Sequence, residues 1–122
     1  MTQRIAVVTG GLGGLGLAIC QALANAGRKV IAAVGREGAE YYNRLGYVPY
    51  DVGINENAAR TLEYATADFS IAQLAKLLGK DGDAKKYRER ALNYQKLYDN
   101  QSGWIRGRNQ DGSWSTPFNP YK

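Results

Sequence analysis

Residues Thr9–Gly16 read TGGLGGLG, between the apolar run Ile5–Thr9 (IAVVT) and the segment Leu17–Gly27 (LAICQALANAG). A continuous apolar run that ends at glycine predicts a strand buried on both faces of a parallel sheet. Leu15, Ile19 and Leu23 recur at helical spacing, which predicts a helix over Leu15–Ala26 that Gly27 terminates. Lys29–Val34 reads as a second buried strand. Strand, glycine turn, helix and strand close as a right-handed crossover. The free amides at the start of that helix would face any anion lying above the turn. This turn therefore sets the expected fold class: α/β, built on a parallel sheet.

Further along, Gly38–Leu45 predicts a short helix ending at Gly46, and Tyr47–Val52 a third strand that Pro49 confines to an edge. Asn55 or Asn57 can cap a long helix that runs to Leu78 and stops at Gly79. Its expected apolar stripe is Leu62, Ala65, Phe69, Ala72, Ala75 and Leu78. Asp83 caps a second helix with Tyr87, Ala91, Tyr94, Leu97 and Tyr98 on one face, ending before Gly103. The tail holds a hairpin turn at Asp111–Gly112 and then an irregular, proline-containing end. The expectation is a small three-stranded parallel, half-Rossmann-like sheet followed by a helical pair and a short tail. One compact domain over 1–122 would comprise a βαβ unit (1–36), a seam (37–56) and the helical pair with its tail (57–122).

The totals narrow the function. An apolar content of 44% in 122 residues suffices for one core. Sixteen Lys and Arg against eleven Asp and Glu give +5, a mild excess spread along the chain. Its densest cluster (Lys85, Lys86, Arg88, Arg90) is interrupted by Glu89 and reads as a solvated helix face rather than a nucleic-acid surface. The chain lacks histidine, which removes the commonest general base and zinc ligand and every Ser-His or Cys-His nucleophile. Cys20 is the one cysteine, so no disulfide forms within the chain, and it reads as a buried thiol on a helix. The first residues are polar and no apolar run is long enough for a bilayer; the expected setting is soluble and cytoplasmic. All nine tyrosines, both tryptophans and both phenylalanines follow residue 36. Such a step marks a seam, and exposed aromatic helix faces beyond it would favour self-association.

The first 36 residues, through TQRIAVVTGGLGGLGLAICQALANAG, resemble the short-chain dehydrogenase/reductases, most closely the acetoacetyl-CoA reductases. Thr9, Gly10, Gly14 and Gly16 match that family's TGxxxGxG pattern, and Leu15 lies within it. The resemblance implies that Gly10 makes the tight turn, Gly14 admits a pyrophosphate, and Gly16 lets helix and strand pack closely. Gly35 and Arg36 follow the second strand where an NAD-preferring member has an acid, which suits the adenosine phosphate of NADP. No tyrosine is followed four residues later by lysine, so the reductases' Tyr-x-x-x-Lys proton donor is absent.

The remainder resembles the calcium-dependent exo-α-mannosidases of glycoside hydrolase family 92. The residues that carry this are GYVPYDVG, AARTLEYATADFSIAQLAKLLGK and YRERALNYQKLYDNQSGWIRGRNQDGSWSTPFNP. The resemblance implies a piece of an (α/α)6 toroid. It departs from the family at Ala67 (usually an acid), Phe69 (usually tryptophan) and Asn119 (usually aspartate). The family's general acid falls just after the segment that ends at Pro120, and its base aspartates further on. Inverting hydrolysis needs two carboxylates across a sugar and a water. Glu63 and Asp68, five apart on a helix, face different ways and cannot supply them. Asp81 and Asp83 resemble the start of a calcium loop, but Leu92 stands at its twelfth position where a bidentate glutamate belongs, so no metal site is expected.

These readings point to a non-catalytic chimera, engineered or designed, with a vestigial phosphate-binding turn at Thr9, Gly10, Gly14, Leu15, Gly16 and Arg36. Neither a catalytic residue nor a required cofactor is expected. The alternatives are a weak NADP(H)-binding module and a carbohydrate-binding mannosidase fragment using Trp104, Trp114, Tyr121 and the loop around Asn109.

Overall fold

The computed structural model describes the backbone of residues 5–9 and 29–33 and all of residues 37–121. The glycine turn with Gly10, Gly14, Leu15 and Gly16, the helix expected over Leu15–Ala26 with Cys20, and Arg36 lie outside the described residues. Strands β1 (Ile5–Thr9) and β2 (Lys29–Ala33) pair in parallel, Ile5 opposite Lys29 and Thr9 opposite Ala33. Three helices follow: α1 (Ala39–Leu45), α2 (Asn57–Leu77) and α3 (Asp81–Ala91). A short antiparallel pair, β3 (Tyr98–Asp99) and β4 (Trp104–Ile105), comes next. The described residues are mostly helical, and none of these helices is long and apolar enough to cross a membrane.

No three-stranded parallel sheet is present among the described residues, which corrects the expected half-Rossmann architecture. The strand expected over Tyr47–Val52 is instead an extended approach to a 3-10 turn at Tyr50–Val52. The reason lies in where its backbone donors go. Val48 N–H donates to the Thr61 hydroxyl at 2.9 Å, Pro49 has no N–H, and Tyr50 N–H donates to the Arg108 carbonyl at 2.7 Å. With its donors committed to a helix side chain and a loop, the segment has no ladder to offer a strand.

Two compact units divide the chain: Met1–Gly35 with Thr66–Glu89, and Arg36–Ala65 with Arg90–Lys122. In the first, the small residues Ser70, Ala72, Ala75 and Ala84 are buried. The end of α2 closes with Lys80 N–H bonded to Ala75 O (2.9 Å) and Gly79 N–H to Lys76 O (3.1 Å), across a left-handed Gly79. The expected stripe of α2 is buried at Ala65, Ala72 and Ala75 and departs from expectation elsewhere. Phe69 and Leu78 are exposed, while Thr61, Tyr64 and Asp68 are buried beside the alanines.

The second unit packs around Tyr42, Val48 and Tyr64, with Ile54 against them. The Tyr42 and Tyr64 rings meet edge-on at 5.4 Å, a geometry that adds attraction beyond the area buried. Gly46, left-handed at φ 83, ends α1 and returns its N–H to Tyr42 O. Glu37 accepts twice, from Arg60 at its carboxylate (2.9 Å) and from the Tyr64 hydroxyl at its carbonyl. After α3 the backbone tightens into a 3-10 turn, Leu92–Leu97, then extends at Tyr98. Tyr94 and Tyr98 are exposed and Leu97 is wholly buried, so the single helical face expected to carry all three is broken here.

Candidate functional site

In the second unit a cleft of about 720 Å³ opens where three short segments converge. The 3-10 turn brings Tyr50, the start of α2 brings Glu56 and Asn57, and the C-terminal loop brings Phe118 and Asn119. Ile105 and Gly107 also line it. Tyr50 and Phe118 offer aromatic faces. Glu56, Asn57 and Asn119 offer hydrogen-bonding groups of both kinds.

The stretch Ile105–Asn109 explains how this lining is held. Along extended backbone, alternate side chains point to opposite faces. Ile105 and Gly107 line the cleft, while Arg106 and Arg108 bind elsewhere. Arg106 donates from Nε (3.0 Å) and Nη2 (2.6 Å) to Ser115 O and from Nη1 to Asp99 Oδ2 (3.2 Å). Its guanidinium also lies 5.0 Å from the centre of the Phe118 ring. Arg108 donates to Gly112 O (2.8 Å) and Lys96 O (2.9 Å), over the rings of Trp114 (4.9 Å) and Tyr47 (5.8 Å). Gly107 is glycine for a steric reason. A Cβ there would stand 2.7 Å from Tyr50 Cδ2 and 3.1 Å from Ser115 Oγ.

Three groups near these clamps titrate away from their ordinary values. The Ser102 hydroxyl, then the Gln101 N–H and Arg106, hold the Asp99 carboxyl below the usual 3.8. The hydroxyl and amide of Ser113 lower Asp111 in the same way. Burial pushes the Tyr47 phenol above 10, against the pull of Arg108 and with a further push from Asp111 and Asp51. Tyr47 donates to Asn109 O at 2.7 Å, so the protonated form fastens the Asn109–Ser113 turn. Arg108 and Trp114 bridge across that turn, which Asn109 N–H closes on Ser113 O.

Of the residues singled out in the sequence, Thr9 ends β1; Gly10, Gly14, Leu15, Gly16 and Arg36 fall outside the described residues. Glu63 is exposed and Asp68 is buried. Asp81 and Asp83 stand in the first turn of α3, and no described residues gather as a metal-binding group. Trp104 and Tyr121 meet edge-on at 6.0 Å, both exposed, whereas Trp114 is held under Arg108. Tyr50, Glu56 and Phe118 were missed. One signal could have found their cleft: a glycine between two arginines in an extended segment, which marks a close approach.

Comparison with solved structures places this arrangement among glycoside hydrolases. An inverting mannosidase of family 92 from Bacteroides thetaiotaomicron superposes with a TM-score of 0.67 and 45% identity, over 70% of this chain and 12% of that one. A second family 92 α-mannosidase from that organism, in complex with mannoimidazole, superposes with a TM-score of 0.64 and 47% identity, over 66% of this chain and 10% of that one. The glycosyl hydrolase family 92 catalytic domain matches residues 9–122, and the chain belongs to that family.

A shorter likeness is to a reductase. Thirty-five residues are 66% identical to an acetoacetyl-CoA reductase from Cupriavidus necator, covering 29% of this chain and 14% of that protein. The chain thus spans only a small part of each protein it matches.

Proposed function

We propose that the chain is a saccharide-holding piece of a family 92 catalytic domain, joined to a reductase-like N-terminus and without turnover of its own. The observation that carries this is 45% identity with an inverting mannosidase over 70% of the chain, at a TM-score of 0.67. The cleft suits the role. Pyranosides present an apolar face to rings such as Tyr50 and Phe118, and hydroxyls to groups such as Glu56, Asn57 and Asn119. Inversion requires a general acid and a general base roughly 6.5–9.5 Å apart. Among the residues described around the cleft, Glu56 is the single carboxylate. Titration with methyl α-mannoside, followed by amide NMR, is expected to shift the signals of Tyr50, Glu56 and Phe118, with no product released from an aryl α-mannoside. Unmoved spectra at saturating sugar would end this reading.

A second reading belongs to the N-terminal segment, and the 66% identity to a reductase favours it. In it, Thr9, Gly10, Gly14, Leu15, Gly16 and Arg36 hold the phosphates of NADP weakly, with no chemistry following. Added NADPH should then raise the melting temperature. An unchanged melt at millimolar cofactor disposes of it.

A further inference from the structure

Glu56 is the only non-glycine residue with positive φ (56°) among the described residues. A side chain in this left-handed conformation costs about 1–2 kcal/mol, which makes glutamate an unfavourable choice there. Glycine would fit the turn freely, as it does three residues earlier at Gly53 (φ 75°). Bonds on both sides fix the conformation. Asn57 Nδ2 donates to Ile54 O (3.2 Å), Arg60 Nε to Asn55 O (2.9 Å) and Arg60 N–H to Glu56 O (2.8 Å). None of these uses the glutamate side chain, which is exposed and lines the cleft. The fold therefore holds a strained backbone at the cleft, and among the described residues none donates to the carboxylate in return.

We propose that Glu56 is the specificity-determining residue of the cleft. Its carboxylate accepts hydrogen bonds from two neighbouring hydroxyls of a pyranoside whose apolar face rests on Tyr50. An ionised carboxylate only accepts, and its two oxygens match a vicinal diol, which donates twice. This rests on the reading of the cleft as a saccharide site. It adds which group selects the sugar and by what chemistry.

Three chains decide it: the parent, Glu56→Gln and Glu56→Gly, each titrated with methyl α-mannoside by NMR and melted by calorimetry. Glu56→Gln is expected to weaken binding about tenfold at unchanged Tm, because one acceptor becomes a donor. Glu56→Gly should abolish measurable binding, with a Tm equal to or above the parent's. Parental affinity in Glu56→Gln overturns the proposal and leaves the saccharide site standing. A lower Tm in Glu56→Gly also overturns it, by showing that the side chain supports the fold. Absence of binding in the parent removes both the proposal and the site.

Discussion

Replacing Arg106 by alanine is expected to lower the Tm by on the order of 10 °C and to free Phe118 from its position beside the cleft. One guanidinium satisfies the Ser115 carbonyl twice, holds Asp99 and lies against the Phe118 ring. Removing it leaves a buried carboxylate and a buried carbonyl without that partner, so the loss exceeds that of an exposed ion pair. Arg106→Lys should recover only part of the loss, since an ammonium cannot fork between Asp99 and Ser115. The pH dependence follows from the direction of the Asp99 shift. A carboxyl whose folded value lies below its unfolded one stabilises fully above the unfolded value, and that share is lost as the pH falls through the folded one. The parent should therefore melt at constant temperature around neutrality and lose Tm below the usual 3.8 of Asp99. In Asp99→Asn the neutral Tm should be lower and the acid fall shallower. Thermal melts of these chains across pH check it. A loss of under about 2 °C in Arg106→Ala would show that Phe118 and Ser115 are held by other means.

Some of this arrangement is written in the sequence and some is not. The stop of α2 before Gly79 and the end of α1 at Gly46 follow from the local rule of glycine termination. Local rules failed where distant groups compete for the same backbone. Tyr47–Val52 has strand composition, yet Thr61 and Arg108, 13 and 58 residues away from their partners, take its donors. The stripe of α2 held at Ala65, Ala72 and Ala75 but not at Phe69 and Leu78, for a related reason. Periodicity fixes which residues share a face but not which face is covered, and buried Thr61 and Asp68 outweighed the expectation from Phe69 and Leu78. The cleft was the least legible part. Its lining comes from segments about 50 residues apart, the arginine clamps use carbonyls and rings that no short motif encodes, and a left-handed Glu56 has no signature in composition. Family resemblance reached further here than periodicity, because it carries long-range packing that a single sequence does not display.

Leu97→Ala and Tyr50→Ala should separate the fold from the site. Leu97 is wholly buried at the end of the 3-10 turn, and its carbonyl accepts Arg106 N–H at 2.8 Å beside the β3–β4 pair. Truncation removes three carbons from a packed position and leaves a cavity, a loss of about 3–4 kcal/mol. For a domain of this size that is a Tm lower by roughly 10–15 °C, a large share of a typical total stability. Tyr50 is 51% exposed, and the Gly107 backbone lies against its ring. Its truncation should cost less than about 1 kcal/mol, because much of the ring is already in water. The binding result should run the other way. Below its own melting temperature Leu97→Ala should bind methyl α-mannoside as the parent does, since its side chain does not reach the cleft. Tyr50→Ala should lose binding at nearly parental stability, because a sugar's apolar face then has one ring to rest on instead of two. Calorimetric melts paired with NMR titrations give both quantities on the same samples. Equal loss of binding in the two variants would mean that the cleft has no existence apart from the packing beneath it.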